Sequence, residues 1–142
     1  MRLQAQVAQD YCCNNAAAPE RCAVHEADWL QVRAVGSFDF GYDYTFFCAL
    51  HPSMRAEWAA AWRRNLKPGA HLATMMFPIE EEGRQGPPWP VSVEAYTKAL
   101  EPEGFTCVMQ EQVEALEATV ENRASKEVFA VWQLSMHDGA KL

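Results

Sequence analysis

Phe38-Asp39-Phe40-Gly41-Tyr42-Asp43-Tyr44-Thr45-Phe46-Phe47-Cys48-Ala49-Leu50 is the stretch on which the reading of this chain turns. Its first half places aromatic side chains at 38, 40, 42 and 44, with smaller or polar residues between. A period of two marks a strand. The alternation then breaks into Phe46-Phe47-Cys48-Ala49, which predicts a buried turn at the end of that strand. Gly41, inside the strand, marks a close approach of other atoms to the backbone.

Toward the C-terminus, Ser53 is the predicted N-cap of a helix. Met54, Trp58, Ala61, Trp62 and Leu66 form its apolar stripe. Lys67-Pro68-Gly69 stops it. Residues 72–77 read as a buried strand ended by Pro78, and 80–90, rich in Glu, Gly and Pro, as a loop. Ser92 caps a second helix with Val93, Tyr96, Ala99 and Leu100 on one side, ended by Pro102 and Gly104. Residues 105–109 and 127–134 read as strands. In the last, Val128, Ala130 and Trp132 oppose Phe129, Val131 and Leu134, which requires a register shift near Gln133. Residues 110–126 are polar, without a helical stripe, so the last two strands are expected to pair antiparallel.

Toward the N-terminus, residues 22–26 are a candidate short strand with Asp28 and Trp29 at its end. Residues 12–21 read as a loop. Leu3, Val7 and Tyr11, four residues apart, predict a short amphipathic helix. Strands alternating with helices predict an α/β fold, a mostly parallel sheet closed by a terminal antiparallel hairpin.

Composition narrows the function. The 142 residues are 49% hydrophobic and 22% charged, suited to one globular domain spanning 1–142. Twelve Lys and Arg against nineteen Asp and Glu give a net charge of -7, which opposes binding to a phosphate backbone. Arg63, Arg64 and Lys67 are the one short basic cluster, read as the positive end of a helix. No nucleic-acid partner is expected. Five cysteines at 12, 13, 22, 48 and 107 show no C-x-x-C pair, and the four His are scattered. No metal site is expected. Free thiols in a reducing, cytoplasmic setting are. Arg2, Gln4, Gln6, Gln9 and Asp10 interrupt any signal-peptide core. No run approaches the ~20 apolar residues of a membrane span.

The 38–50 stretch resembles the fourth-strand region of the thiopurine methyltransferase-like group. It is most similar there to the halide/thiocyanate (thiol) methyltransferases. The resemblance continues through Pro52, Met54-Arg55, Trp58, Leu66-Lys67-Pro68-Gly69, Met75-Met76-Phe77-Pro78 and Gly86-Pro87-Pro88-Trp89-Pro90-Val91. Gly104-Phe105, Lys126-Glu127 and Ala130-Val131-Trp132 complete it, over about residues 22–134. Leu-Lys-Pro-Gly alone is common among class I methyltransferases. The Asp43-to-Ala49 run followed at this distance by Gly-Pro-Pro-aromatic is specific.

The resemblance implies a Rossmann-like class I methyltransferase sheet. It also implies S-adenosyl-L-methionine as cofactor and a small thiol, thiocyanate, hydrosulfide or halide as methyl acceptor. It assigns Asp28 and Trp29 to the adenine, where a carboxylate accepts from the amino group and an indole stacks. Trp29 stands where the family usually has Phe. It assigns Tyr44 to the methyl-bearing end, outside the carboxyl ends of the strands, with Asp43 toward the methionine part. Trp89, usually Tyr in the family, falls in the loop that covers the acceptor. Each has a plainer reading: Asp28 as a cap, Trp29 as core, Tyr44 as a sheet aromatic, Trp89 as a loop pin. No catalytic base is named by the sequence.

The family's first two strands and Gly-rich turn have no counterpart among the seven glycines, at 36, 41, 69, 83, 86, 104 and 139. A partial methyltransferase domain is therefore expected, its fourth-strand counterpart left with an open edge. This keeps an alternative in view: a truncated, inactive remnant, or a partner-dependent protein associating with itself or another chain through that edge.

Overall fold

The computed structural model describes residues 23–80, 83, 85–114, 123 and 126–136. The expected helix at Leu3, Val7 and Tyr11 and the loop at 12–21 lie outside them. The chain divides into two compact units, Met1–Gln31 and Val32–Leu142.

In the first unit, residues 23–26 form no strand. The expected strand fails there because an extended segment becomes a strand only by pairing, and these residues have no ladder. The described part ends in a 3-10 turn, Trp29–Gln31. Asp28 begins that turn: its Oδ1 accepts from Leu30 N–H at 3.1 Å and its carbonyl from Gln31 N–H at 2.9 Å.

The second unit carries four strands and two helices: β1 (Phe38–Tyr44), α1 (Arg55–Asn65), β2 (Leu66–Met76), α2 (Val93–Leu100), β3 (Phe105–Gln112) and β4 (Val128–Leu134). The sheet order is β1-β2-β4-β3. β1 and β2 are parallel, and β4 runs antiparallel to both β2 and β3. This is the expected α/β architecture with its terminal hairpin.

α1 is built from good helix formers, four Ala among its eleven residues. Glu57 lies in its first turn and Arg63 and Arg64 in its last, each at the end the helix dipole favours. Its start differs from expectation. His51, not Ser53, caps the short 3-10 turn Pro52–Met54 that leads into it, with Nδ1 accepting from Ser53 N–H at 3.3 Å. Met54 consequently ends that turn just ahead of the helix and is exposed, while Trp58, Ala61, Trp62 and Leu66 are buried as expected. At the other end Asn65, fully buried, accepts from Ala34 N–H at 2.8 Å, and Arg64 donates to Val32 carbonyl at 2.8 and 3.0 Å. These bonds fix the chain entering β1.

β2 begins directly at Leu66, earlier than expected. The register steps from Phe38 opposite Leu66 to Phe40 opposite His71, so residues 67–70 bulge out, with Gly69 at φ +80°. Ser92 caps α2 as expected, its Oγ accepting from Ala95 N–H at 3.1 Å. In β4, Val128, Ala130, Trp132 and Leu134 are all buried in unbroken alternation. The expected shift near Gln133 is absent. The irregularity sits on β3, between Cys107 and Met109, which leaves Val108 as the extra residue.

Both helices pack on one face of the sheet. Trp58, Phe47 and Tyr96 form its aromatic centre, with Phe47 stacked on Tyr96 at 4.0 Å and edge-on to Trp58 at 4.6 Å. Gly41 makes this possible: a Cβ there would stand 2.5 Å from the Trp62 ring. On the other face Phe38, Phe40 and Tyr42 are 41%, 58% and 53% exposed.

Candidate functional site

The carboxyl ends of β1 and β2 lie side by side, and the segments leaving them carry the polar side chains of interest. Ligands of open α/β sheets lie at this edge. β1 ends with Asp43 and Tyr44, which point to opposite faces because a strand alternates.

Asp43 turns inward and is 2% exposed. Its Oδ2 accepts from Trp58 Nε1 at 2.8 Å and its Oδ1 from Phe47 N–H at 3.4 Å. It therefore ties the 3-10 turn Phe47–Ala49 and α1 to the strand end. Burial pushes its carboxyl pKa up, against the lowering effect of those hydrogen bonds. Buried and bonded through both oxygens, it holds the turn and the helix against the end of β1.

Tyr44 turns the other way and is half-buried. Its hydroxyl donates to Glu127 Oε1 at 2.8 Å and accepts from the Arg123 guanidinium. The same guanidinium lies over the Tyr44 ring at 5.4 Å and the Phe77 ring at 4.3 Å, both cation–π distances. Glu127 is fully buried just ahead of β4. Its carbonyl accepts from Gln112 Nε2 at 2.7 Å and Val113 N–H at 3.1 Å, which anchors the residue to the end of β3. A phenol, a carboxylate and a guanidinium thus converge at the strand ends.

Trp89 is half-buried on the loop after β2. Its N–H donates to Cys48 carbonyl at 2.7 Å, and its ring meets His51 edge-on at 5.0 Å. Arg55 Nη2 donates to Pro90 carbonyl at 3.1 Å, and the Arg55 guanidinium lies over Phe47 at 4.6 Å. The loop is therefore pinned to the turn that follows β1. Cys48 beneath it is buried, and burial, then the Asp43 charge, pushes its thiol pKa up.

Of the residues marked in the sequence, Asp43, Tyr44 and Trp89 lie along this edge of the second unit. Asp28 and Trp29 belong to the first unit, where Asp28 is exposed and Trp29 half-buried. Asp43 is buried and bonded to Trp58 and Phe47. Glu127, Arg123, His51 and Arg55 were not marked. Lys126-Glu127 carried the one available signal, a charged pair immediately before an alternating strand.

Among the described residues no three His, Cys, Asp or Glu side chains gather to hold a metal ion. No helix there is long and apolar enough to cross a membrane.

Residues 17–135 match the family model for thiopurine S-methyltransferase. A probable thiol methyltransferase 2 of Arabidopsis thaliana is 46% identical over 81 residues, covering 57% of this chain and 35% of that protein. Thiocyanate methyltransferase 1 of Brassica oleracea is 38% identical over 106 residues, 75% of this chain and 45% of that protein. The chain thus spans less than half the length of these curated relatives. Among solved structures, the cyclase SpnF aligns with a TM-score of 0.72 at 15% identity, over 94% of this chain and 63% of that one. A SAM-dependent methyltransferase from Methanosarcina mazei aligns at 0.64 with 16% identity, over 78% and 66%. At these identities the structural likeness shows the fold, a class I methyltransferase-type α/β sheet, and nothing finer.

Proposed function

The chain belongs to the thiopurine S-methyltransferase family, and from that premise we propose that it takes part in methyl transfer from S-adenosylmethionine to a small soft nucleophile. A thiol, thiocyanate, hydrosulfide or halide is the acceptor class. The observation that carries this reading is the cluster at the strand ends, where Arg123 supplies a positive charge beside Tyr44. A cation on an apolar, aromatic-lined edge suits an anionic acceptor.

The cofactor supplies an activated methyl on a sulfonium, a good leaving centre. The protein's part is to align and to exclude water. Tyr44 is assigned to the reacting end and Trp89 to the cover over the acceptor. Asp28 and Trp29 are assigned to the adenine, on the family motif. Asp43 acts from below, by holding the Phe47–Ala49 turn against β1. We place the reaction in the cytoplasm, on the cysteine usage.

The test is calorimetric titration of the full chain with S-adenosylhomocysteine, followed by transfer assays with methyl-labelled cofactor on thiocyanate, iodide and a thiol. Binding and transfer are expected. No heat at millimolar ligand sinks the reading.

A second reading, completion by a partner strand, is favoured by β1. Among the described strands it pairs only with β2, and it presents Phe40 and Tyr42. It predicts cofactor binding without turnover until a second polypeptide is added.

A further inference from the structure

Thiocyanate and halides arrive as anions, but a thiol brings a proton that must leave before or during transfer. We propose that Tyr44 and Glu127 are the path by which a thiol acceptor loses that proton. The inference rests on the methyl-transfer reading above and adds to it the base for one acceptor class.

The geometry is that of a relay. The Tyr44 hydroxyl donates to Glu127 Oε1 at 2.8 Å, so its proton already points at a carboxylate. Glu127 is sealed from solvent, and two hydrogen bonds to its carbonyl hold its backbone in place. Arg123 donates to the same phenol oxygen and steadies the negative charge that gathers there during transfer. Tyr44 is half-buried at the strand end and Glu127 fully buried, so of the two the phenol is the one an acceptor can reach.

The step balances as follows. The S–H bond of the thiol breaks and its proton passes to the Tyr44 oxygen. The phenol's own proton moves to Glu127 Oε1. The electron pair left on the thiol sulfur forms the bond to the methyl carbon, whose bond to the sulfonium breaks with its pair remaining on that sulfur. Glu127 then returns the proton to water through the same phenol. Tyr42 stands nearby with its phenol pKa raised, first by burial and then by Tyr44, Glu127 and Asp43. Asp43 faces Trp58 on the opposite side of β1. Arg123 remains a cation throughout.

The experiment compares two acceptors, benzyl mercaptan and thiocyanate, on the full chain and on Glu127→Gln and Tyr44→Phe. Gln retains an oxygen to accept from Tyr44, so Glu127→Gln is the variant less disruptive to folding. Glu127→Gln is expected to lower kcat/KM for benzyl mercaptan by about a hundredfold, the usual scale of general-base loss. Its pH profile on the thiol should move upward, with thiocyanate within about threefold of the parent. Equal losses on both acceptors overturn the relay and point to a structural role. If the unaltered chain methylates neither acceptor, the transfer reading fails on its own account. The relay is then judged without turnover, by the ultraviolet difference absorbance of benzyl mercaptan thiolate with S-adenosylhomocysteine present. Ionisation at lower pH on the parent than on Glu127→Gln supports the relay, and coincident titrations overturn it.

Discussion

The two faces of one sheet differ more than any two elements of the chain. On the helix side, Leu72, Thr74, Met76, Ala130 and Trp132 are almost fully buried under Trp58, Trp62, Phe47 and Tyr96. Two of its indoles have polar partners there: Trp132 Nε1 donates to Thr74 Oγ1 at 3.0 Å and Trp58 Nε1 to Asp43 Oδ2 at 2.8 Å. On the reverse side Phe38, Phe40, Tyr42 and Met109 keep more than a third of their surface exposed, and Met75, Phe129 and Val131 are half-buried. The same β1 backbone therefore separates a finished interior from an apolar surface. Stability is concentrated on the first, and the capacity to associate on the second.

The contrast can be broken most directly at Trp58. Trp58→Ala opens a large cavity and removes the indole that Asp43 bonds. It should cost about 3–5 kcal/mol in urea unfolding. Gly41→Ala pushes a methyl into the Trp62 ring and should cost about 1–3 kcal/mol, the scale of overpacking.

Asp43→Asn sharpens the comparison through pH. The folded-state pKa of Asp43 is raised, so its contribution is fully present below the unfolded value and is lost as pH rises through the folded one. The parent should therefore lose this part of its stability on going from acid toward neutrality, and the variant should not. Denaturant midpoints measured across that range decide it. An unchanged slope would mean that the carboxyl is not the source.

Phe40→Ser, on the reverse face, should shift unfolding by no more than about 0.5 kcal/mol. It should also reduce concentration-dependent association in sedimentation velocity. A destabilisation matching Trp58→Ala would erase the distinction between the faces.

The helix side was largely legible in the sequence because its signals are local. The Trp58–Trp62 spacing, the Ser92 cap and the alternation through β4 each read out a period or a cap within a few residues. The failures have physical causes as well. Residues 22–26 carry the composition of a short strand, but pairing depends on a neighbour. The α1 start was misplaced because a histidine ring took the acceptor role that a serine usually fills. The register shift was assigned to β4, whereas the extra residue is Val108 on β3, since two strands can absorb the same offset. In the candidate site, the Tyr44 hydroxyl meets Glu127 across 83 residues of chain and Arg123 across 79. No window of sequence contains such a meeting. Asp43 was marked beside Tyr44, and alternation alone forecasts that two adjacent strand residues face apart.

β2, like β4, is hydrogen-bonded along both sides, parallel to β1 and antiparallel to β4, with Leu72, Ala73 and Thr74 buried in succession. Its amides can trade hydrogen for deuterium only when both neighbours let go together. The isotope should therefore enter those three positions among the last, at a rate set by global opening. Their lag behind the β3 amides offers a clock for the cooperativity of the whole sheet.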